Sequence, residues 1–318
     1  MMKLKHCFYT IVLAVVLGSC PGGGSSTDEY AARMQKFVKD ISAYARSINP
    51  NFIIVPQNGE ELAFNNTEPD EGILWSYINA IDGIGIEELF YDTTLNIDND
   101  RLGMLRRLKA AEPRIVIMVS DYANDTTNAI LLSKTERFIA FPRKAGNPGD
   151  NYDYKIIPAL ADGDNSPIGT LADAKNYLYL ISDDNFTIKG DMITAIQATK
   201  YDVVLIDLFF KGTAFTASEI NSLKTKSGGG SRLVIAYISI GSAEKYRDYW
   251  KSEWKQGSPS WIKKKYDGYG DEFWVEFWHP EWQRIIFGNQ DSYIKQIIDA
   301  GFDGAYLDNV EAYYSLLH

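Results

Sequence analysis

Gly301-Phe-Asp-Gly-Ala-Tyr-Leu-Asp308-Asn309 decides the fold class. A glycine-bounded apolar run this short reads as a buried strand rather than a helix, and it ends on a carboxylate. Seven other runs share the pattern: Phe52 to Pro56, Gly83 to Phe90, Arg114 to Ser120, Phe138 to Phe141, Tyr177 to Ile181, Val203 to Asp207 and Leu233 to Ser239. Gly304 to Asp308 is the eighth. Between most of them lie amphipathic segments such as Tyr30 to Ile48, where Met34, Phe37, Val38, Ile41, Tyr44 and Ala45 form one helical stripe. Strands alternating with helices predict a parallel sheet, and eight such strands predict an α/β fold of the (β/α)8 TIM-barrel type over residues 30–318.

The chain has 318 residues, and 42 Asp and Glu outweigh 32 Lys and Arg, a net charge of -10. Nucleic acid is therefore excluded as a main partner, since phosphate binding needs clustered basic groups. Residues 1–19 read as a lipoprotein signal peptide. Lys3 and Lys5 precede the apolar run Phe8 to Leu17, which is too short to span a bilayer. Leu17-Gly18-Ser19-Cys20 looks like a bacterial lipobox, so lipidation is expected at Cys20, followed by a flexible tether to residue 29. The expected location is the bacterial cell envelope, with the membrane as partner through the lipid. Cys7 leaves with the signal peptide, so the folded domain has no disulfide, catalytic thiol or cysteine zinc site.

Two stretches break the alternation. Lys144 to Ala174, rich in Gly, Pro, Asp and Asn, reads as a linker or surface loop. Tyr249 to Pro280 carries Trp250, Trp254, Trp261, Trp274 and Trp278, with Trp282 just beyond. Those rings suit either stacking on sugar faces, with Trp278 as a candidate contact, or a small satellite core. His279 and His318 are the only histidines of the mature chain, and no Gly-x-Ser-x-Gly elbow is present. There is also no phosphate-binding loop and no dinucleotide fingerprint, so no cofactor is expected. Carboxylates at a barrel mouth also suit Mg or Ca, a lesser reading.

The segments Gly301 to Asn309 and Ala236 to Trp250 resemble the endo-alpha-1,4-polygalactosaminidase-type glycoside hydrolases of family 114. The resemblance is strongest to their bacterial branch, once labelled cysteinyl-tRNA synthetase-related. Phe52 to Leu62 and Ile81 to Tyr91 resemble the same branch. The order is swapped, because in the family the segment like 202–309 comes first and the one like 30–143 follows. The chain thus reads as a circular permutation, with 30–143 equivalent to the family's C-terminal half, 144–174 a linker and 175–318 the N-terminal half. Ser242 and His279 depart from the branch, which usually has Glu and Asp there.

The resemblance implies that Asp308 and Glu87 are the catalytic carboxyls. Glu88 is adjacent, and strand alternation lets only one of Glu87 and Glu88 face the mouth. Asp207 ends an apolar strand, an expensive place for an unpaired charge. It reads as a sugar-binding residue or as the partner of Arg143 or Arg247. Tyr237, Glu244, Gln57, Asn58, Asn309, Asp121 and Tyr122 occupy comparable strand ends, and with Arg143 they are candidates for substrate binding. Glu311 reads as a helix-start carboxylate. The expected activity is hydrolysis of an α-linked galactosamine or N-acetylgalactosamine-type polysaccharide by a lipid-anchored enzyme. A non-catalytic carbohydrate-binding lipoprotein on the same barrel is the alternative.

Overall fold

A computed structural model describes residues 26–160 and 162–317. The expected signal peptide, Cys20 as the expected lipidation site and the expected tether up to residue 25 lie outside the described residues. Eight parallel strands carry the fold: β1 Ile53–Pro56, β2 Gly83–Leu95, β3 Val116–Ala123, β4 Ile139–Ala140, β5 Tyr177–Leu180, β6 Val203–Asp207, β7 Leu233–Ser239 and β8 Gly304–Asp308. They lie where the apolar runs predict them. Their order is β4, β3, β2, β1, β8, β7, β6, β5, with β1 and β2 joined by a single bridge between Gln57 and Gly85. The two ends of this order face one another through aromatic rings, Phe141 lying 5.8 Å from Tyr177 and 6.5 Å from Tyr179. The chain is thus a mixed α/β protein built on parallel strands.

Every residue of β1, β3, β5 and β7 is buried. Burial on both faces is what covering helices impose on a parallel sheet, and it explains the unbroken apolar runs. In β6 and β8 only the last residue, Asp207 and Asp308, is not fully buried. Backbones and rings approach so closely inside that a Cβ on Gly85 would fall 1.8 Å from the Tyr306 hydroxyl. Glycine at that point makes room for the phenol.

Helix α1 spans Ser26–Ile48, starting four residues before the expected Tyr30. Its predicted stripe is inside: Met34, Phe37, Val38, Ile41 and Ala45 are fully buried. Asp28 and Glu29 in the first turn and Arg46 in the last complement the helix dipole. Gln35 donates to the Leu62 carbonyl, beyond the end of β1, at 3.0 Å. Arg46 reaches the Phe52 carbonyl at 3.3 Å and Asp82 at 2.7 Å, where β1 and β2 begin. The helix therefore runs antiparallel to the strands and starts on the face where they end.

The stretch Tyr249 to Pro280 is more ordered than its composition implies. Ile262–Tyr266 and Tyr269–Val275 form an antiparallel hairpin, and Ser242–Glu244 pairs with its second strand. Beneath it Trp250, Trp254, Trp261 and Trp282 pack in series with centroids 5.0 to 5.6 Å apart. Trp261 and Trp282 are buried, and the Trp282 indole donates to the Ile240 carbonyl at 2.8 Å. These tryptophans are a satellite core. No helix among the described residues is long and apolar enough to cross a membrane.

Candidate active site

A cavity of 990 Å³ opens where the parallel strands end. Among the described residues, eleven Asp and Glu against three Arg and Lys line it. Asp308 closes β8, and its two oxygens are held by the Tyr237 hydroxyl from β7 at 2.5 Å and the Asn309 amide at 2.7 Å. Burial first, and the nearby Glu87 carboxylate second, push its pKa up to about 7. Glu87 comes from β2. It accepts hydrogen bonds from Gln57 at 2.7 Å and from the Tyr154 hydroxyl, and Arg143 lies 3.5 Å away. Tyr179 donates to Gln57 at 2.9 Å, so a tyrosine from β5 orients the amide that meets Glu87.

Alternation fails at the next residue. Glu88 also lines the cavity, 3.4 Å from Arg143, because its backbone is left-handed (φ 55°) and turns the strand. The pairing with β3 shifts at the same place, between Glu87 and Asp92. Both glutamates therefore reach the mouth, which corrects the expectation that only one would. Burial and the Glu87 charge raise Glu88 to about 7. Asp121 is drawn away to serve this bend: its carboxylate accepts the Phe90 amide at 3.0 Å and lies buried off the cavity lining. Tyr122 also misses the lining, its hydroxyl donating to Asp150. Trp278, the aromatic sugar-contact candidate, is corrected too. It stacks on Tyr30 of α1 at 4.7 Å under Arg33 and takes no part in the cavity.

Asp207 meets Arg247 at 2.6 Å, and the same guanidinium holds Glu244 at 2.7 Å. Of the two partners considered for Asp207, Arg247 is the one found. Burial, opposed by that arginine, leaves Asp207 raised above the usual carboxylate range. Gln57, Asn58, Tyr237, Glu244, Asn309 and Arg143 all border the cavity beside Asp308 and Glu87.

Four residues escape the sequence reading. Glu311, expected merely to start a helix, faces the cavity, where Asn58 donates to it at 2.6 Å. Burial and Asp308 raise it to about 8. Glu272 arrives on the second hairpin strand and accepts from the Ser242 hydroxyl and from Asn309 at 3.1 Å. Burial and Glu244 raise it to about 8. Where the resemblance implies a glutamate, at 242, a neighbouring strand thus supplies one. The stretch 144–174, expected as a linker, inserts Tyr154 between Glu87 and Tyr179, its ring tilted by 33° against the latter at 3.9 Å. Tyr266 joins from the hairpin, stacked on Trp274 at 4.3 Å. Only the density of tyrosines in the sequence hints at either ring. His279 caps the helix Pro280–Ile286, accepting the Glu281 amide at 3.3 Å. Among the described residues no group of three or more His, Cys, Asp or Glu is arranged to hold a metal ion.

Fold and site define a parallel α/β protein with a carboxylate-rich cavity at its strand ends, an arrangement suited to acid and base work on a bound molecule. Residues 172–317 match the model of the glycoside-hydrolase family GH114, which bears out the recognition of that family over this segment. An uncharacterized protein of Methanocaldococcus jannaschii is 40% identical over 124 residues, 38% of this chain and 34% of its own. Uncharacterized proteins of Deinococcus radiodurans and Thermotoga maritima are 35% and 30% identical over 38% and 37% of the chain, and 37% and 35% of their own. The chain spans about a third of the length of the curated relatives it matches.

Proposed function

We propose that the protein is a hydrolase of the endo-alpha-1,4-polygalactosaminidase type, cleaving an α-linked galactosamine or N-acetylgalactosamine polysaccharide with Asp308 and Glu87. The observation that carries this reading is that those two carboxyls line one cavity at the strand ends, with Asp308 driven to about 7 by burial and by Glu87. Glycosidic cleavage needs one carboxyl protonated and one ionised across the scissile bond. The raised pKa of Asp308 suits it to the acid role, while Glu87 accepts from Gln57 and Tyr154 beside Arg143. The acidic lining favours a polymer with free amines.

The eight strands, their order and the aromatic contact between β4 and β5 support a barrel. The family match, confined to the C-terminal part, supports the circular permutation. A lipid on Cys20 would hold the protein in the bacterial cell envelope. Since α1 starts on the cavity face, five intervening residues could extend at most roughly 20 Å and keep the mouth close to the membrane.

The test is reducing-end release from partially deacetylated poly-galactosamine by residues 26–318, beside Asp308→Asn and Glu87→Gln. Loss of at least about 1,000-fold in both variants is expected, with folding intact. Binding without cleavage by the unaltered protein would instead make it a carbohydrate-binding lipoprotein.

A further inference from the structure

The loop after β7 carries Tyr246, which borders the cavity and is 68% exposed, more than any other large apolar side chain among the described residues. An exposed side chain ordinarily flips between rotamers within nanoseconds. This one is held twice. Its hydroxyl donates to Glu244, and the Arg247 guanidinium lies over its ring, 4.9 Å from the centroid. Both holders are buried and fixed in turn. Arg247 grips Glu244 at 2.7 Å and both oxygens of Asp207 at 2.6 and 2.8 Å, and it donates to the Tyr293 hydroxyl at 2.9 Å. With the guanidinium over one face, the exposed area of the ring lies on the other face and the outer edge.

The same contacts place the ring. Asp207 ends β6, and Tyr237 of β7, whose ring centroid is 5.9 Å from the Arg247 guanidinium, meets Asp308 at the end of β8. Arg247, and Tyr246 with it, is thus anchored over β6, two strand spacings or roughly 10 Å from β8. Glu87, on β2, lies to the opposite side of β8. We propose that Tyr246 is a stacking platform for a pyranose ring of the glycan beyond the cleaved bond, giving the cavity a subsite on its β6 side. This rests on the hydrolase reading above. The C–H face of a sugar packs on an aromatic face, and a ring already fixed in place loses little freedom when it does so. Tyr246 takes the part expected of Trp278, whose own ring is spent on Tyr30.

Binding of partially deacetylated poly-galactosamine and of a galactosamine disaccharide to the full chain carrying Asp308→Asn tests the subsite without cleavage. Adding Tyr246→Ala should weaken polymer binding about tenfold and disaccharide binding much less, because the disaccharide need not reach the ring. Tyr246→Phe keeps the ring and loses the bond to Glu244, so it should recover the polymer affinity to within about threefold. Unchanged polymer affinity in the alanine variant, or no binding of polymer at all, would overturn the platform. So would an equal loss in the phenylalanine variant, since the hold of the hydroxyl on Glu244 and Arg247 would then be the cause. An equal loss for the disaccharide would overturn the place of the subsite beyond the cleaved bond. Cleavage by the unaltered protein is read separately. Tyr246-dependent binding with no glycan cleaved would sink the hydrolase reading alone and leave the platform as the sugar contact of a binding protein.

Discussion

Glu87 is flanked by two residues in left-handed backbone, Asn58 (φ 58°) beside it in space and Glu88 (φ 55°) next in sequence. Such conformations cost about 1–3 kcal/mol each unless the surroundings enforce them. Arg101 does the enforcing. Its guanidinium donates to the Asn58 side-chain oxygen at 3.0 Å, to the Glu87 carbonyl at 2.9 Å and to buried Glu60 at 2.5 Å. With its oxygen so engaged, Asn58 presents its amide nitrogen to Glu311. Arg101→Lys keeps the charge and loses the planar fork. It should lower kcat/KM by about 10–100-fold through misplacement of Glu87, with kcat falling more than KM rises. Circular dichroism should stay unchanged. Asp308, at the end of an apolar run, and Glu87, inside the segment Ile81 to Tyr91, were singled out in the sequence by resemblance, and both line the cavity. Arg101 was not singled out, since it sits on an ordinary helical segment 41 residues from the glutamate it grips.

At the scale of elements, the strands announced themselves because most are short apolar runs shut in on both faces. The antiparallel hairpin did not. Its first strand, Ile262-Lys-Lys-Lys-Tyr266, has its apolar residues only at the ends, and the second is interrupted by glycine and acids. What holds it is the tryptophan core beneath, a tertiary effect that local pattern cannot reveal. Trp261 is the central ring of that core, touching Trp254 and Trp282 and donating to Glu281 at 3.1 Å. Trp261→Ala should destabilise the protein by about 3–5 kcal/mol, read from urea unfolding. Near-ultraviolet dichroism should fall with it, because the neighbouring indoles lose their fixed packing. The stretch 144–174 escaped for the opposite reason. Its composition is that of a loop, and only the fold brings Tyr154 against Glu87.

For the whole molecule, the carboxyls gathered in the cavity set the response to pH. Asp308 and Glu88 are raised to about 7, and Glu272 and Glu311 to about 8. In the unfolded chain such groups titrate near 4. From about pH 4 to about pH 8 the folded protein therefore binds more protons than the unfolded one, so stability falls as pH rises through that window. The melting temperature at pH 5 should exceed that at pH 8 by roughly 5 °C or more, and Glu311→Gln should flatten the difference. If Asp308 is the proposed acid, activity should decline above about pH 7 as its carboxyl ionises. A cationic sugar entering the cavity would relieve the same crowding, coupling substrate charge to stability.

The strand order has one more consequence. Glu87 on β2 and Asp308 on β8 are separated in the sheet by β1 alone, yet the covalent chain keeps them on opposite sides of the stretch 144–174. A gene divided within that stretch would yield two fragments, each with four parallel strands and one half of the carboxyl pair. Neither fragment could carry out the chemistry alone, so restored turnover on mixing would report their reunion: a natural complementation sensor, built from a seam that already lies in the chain.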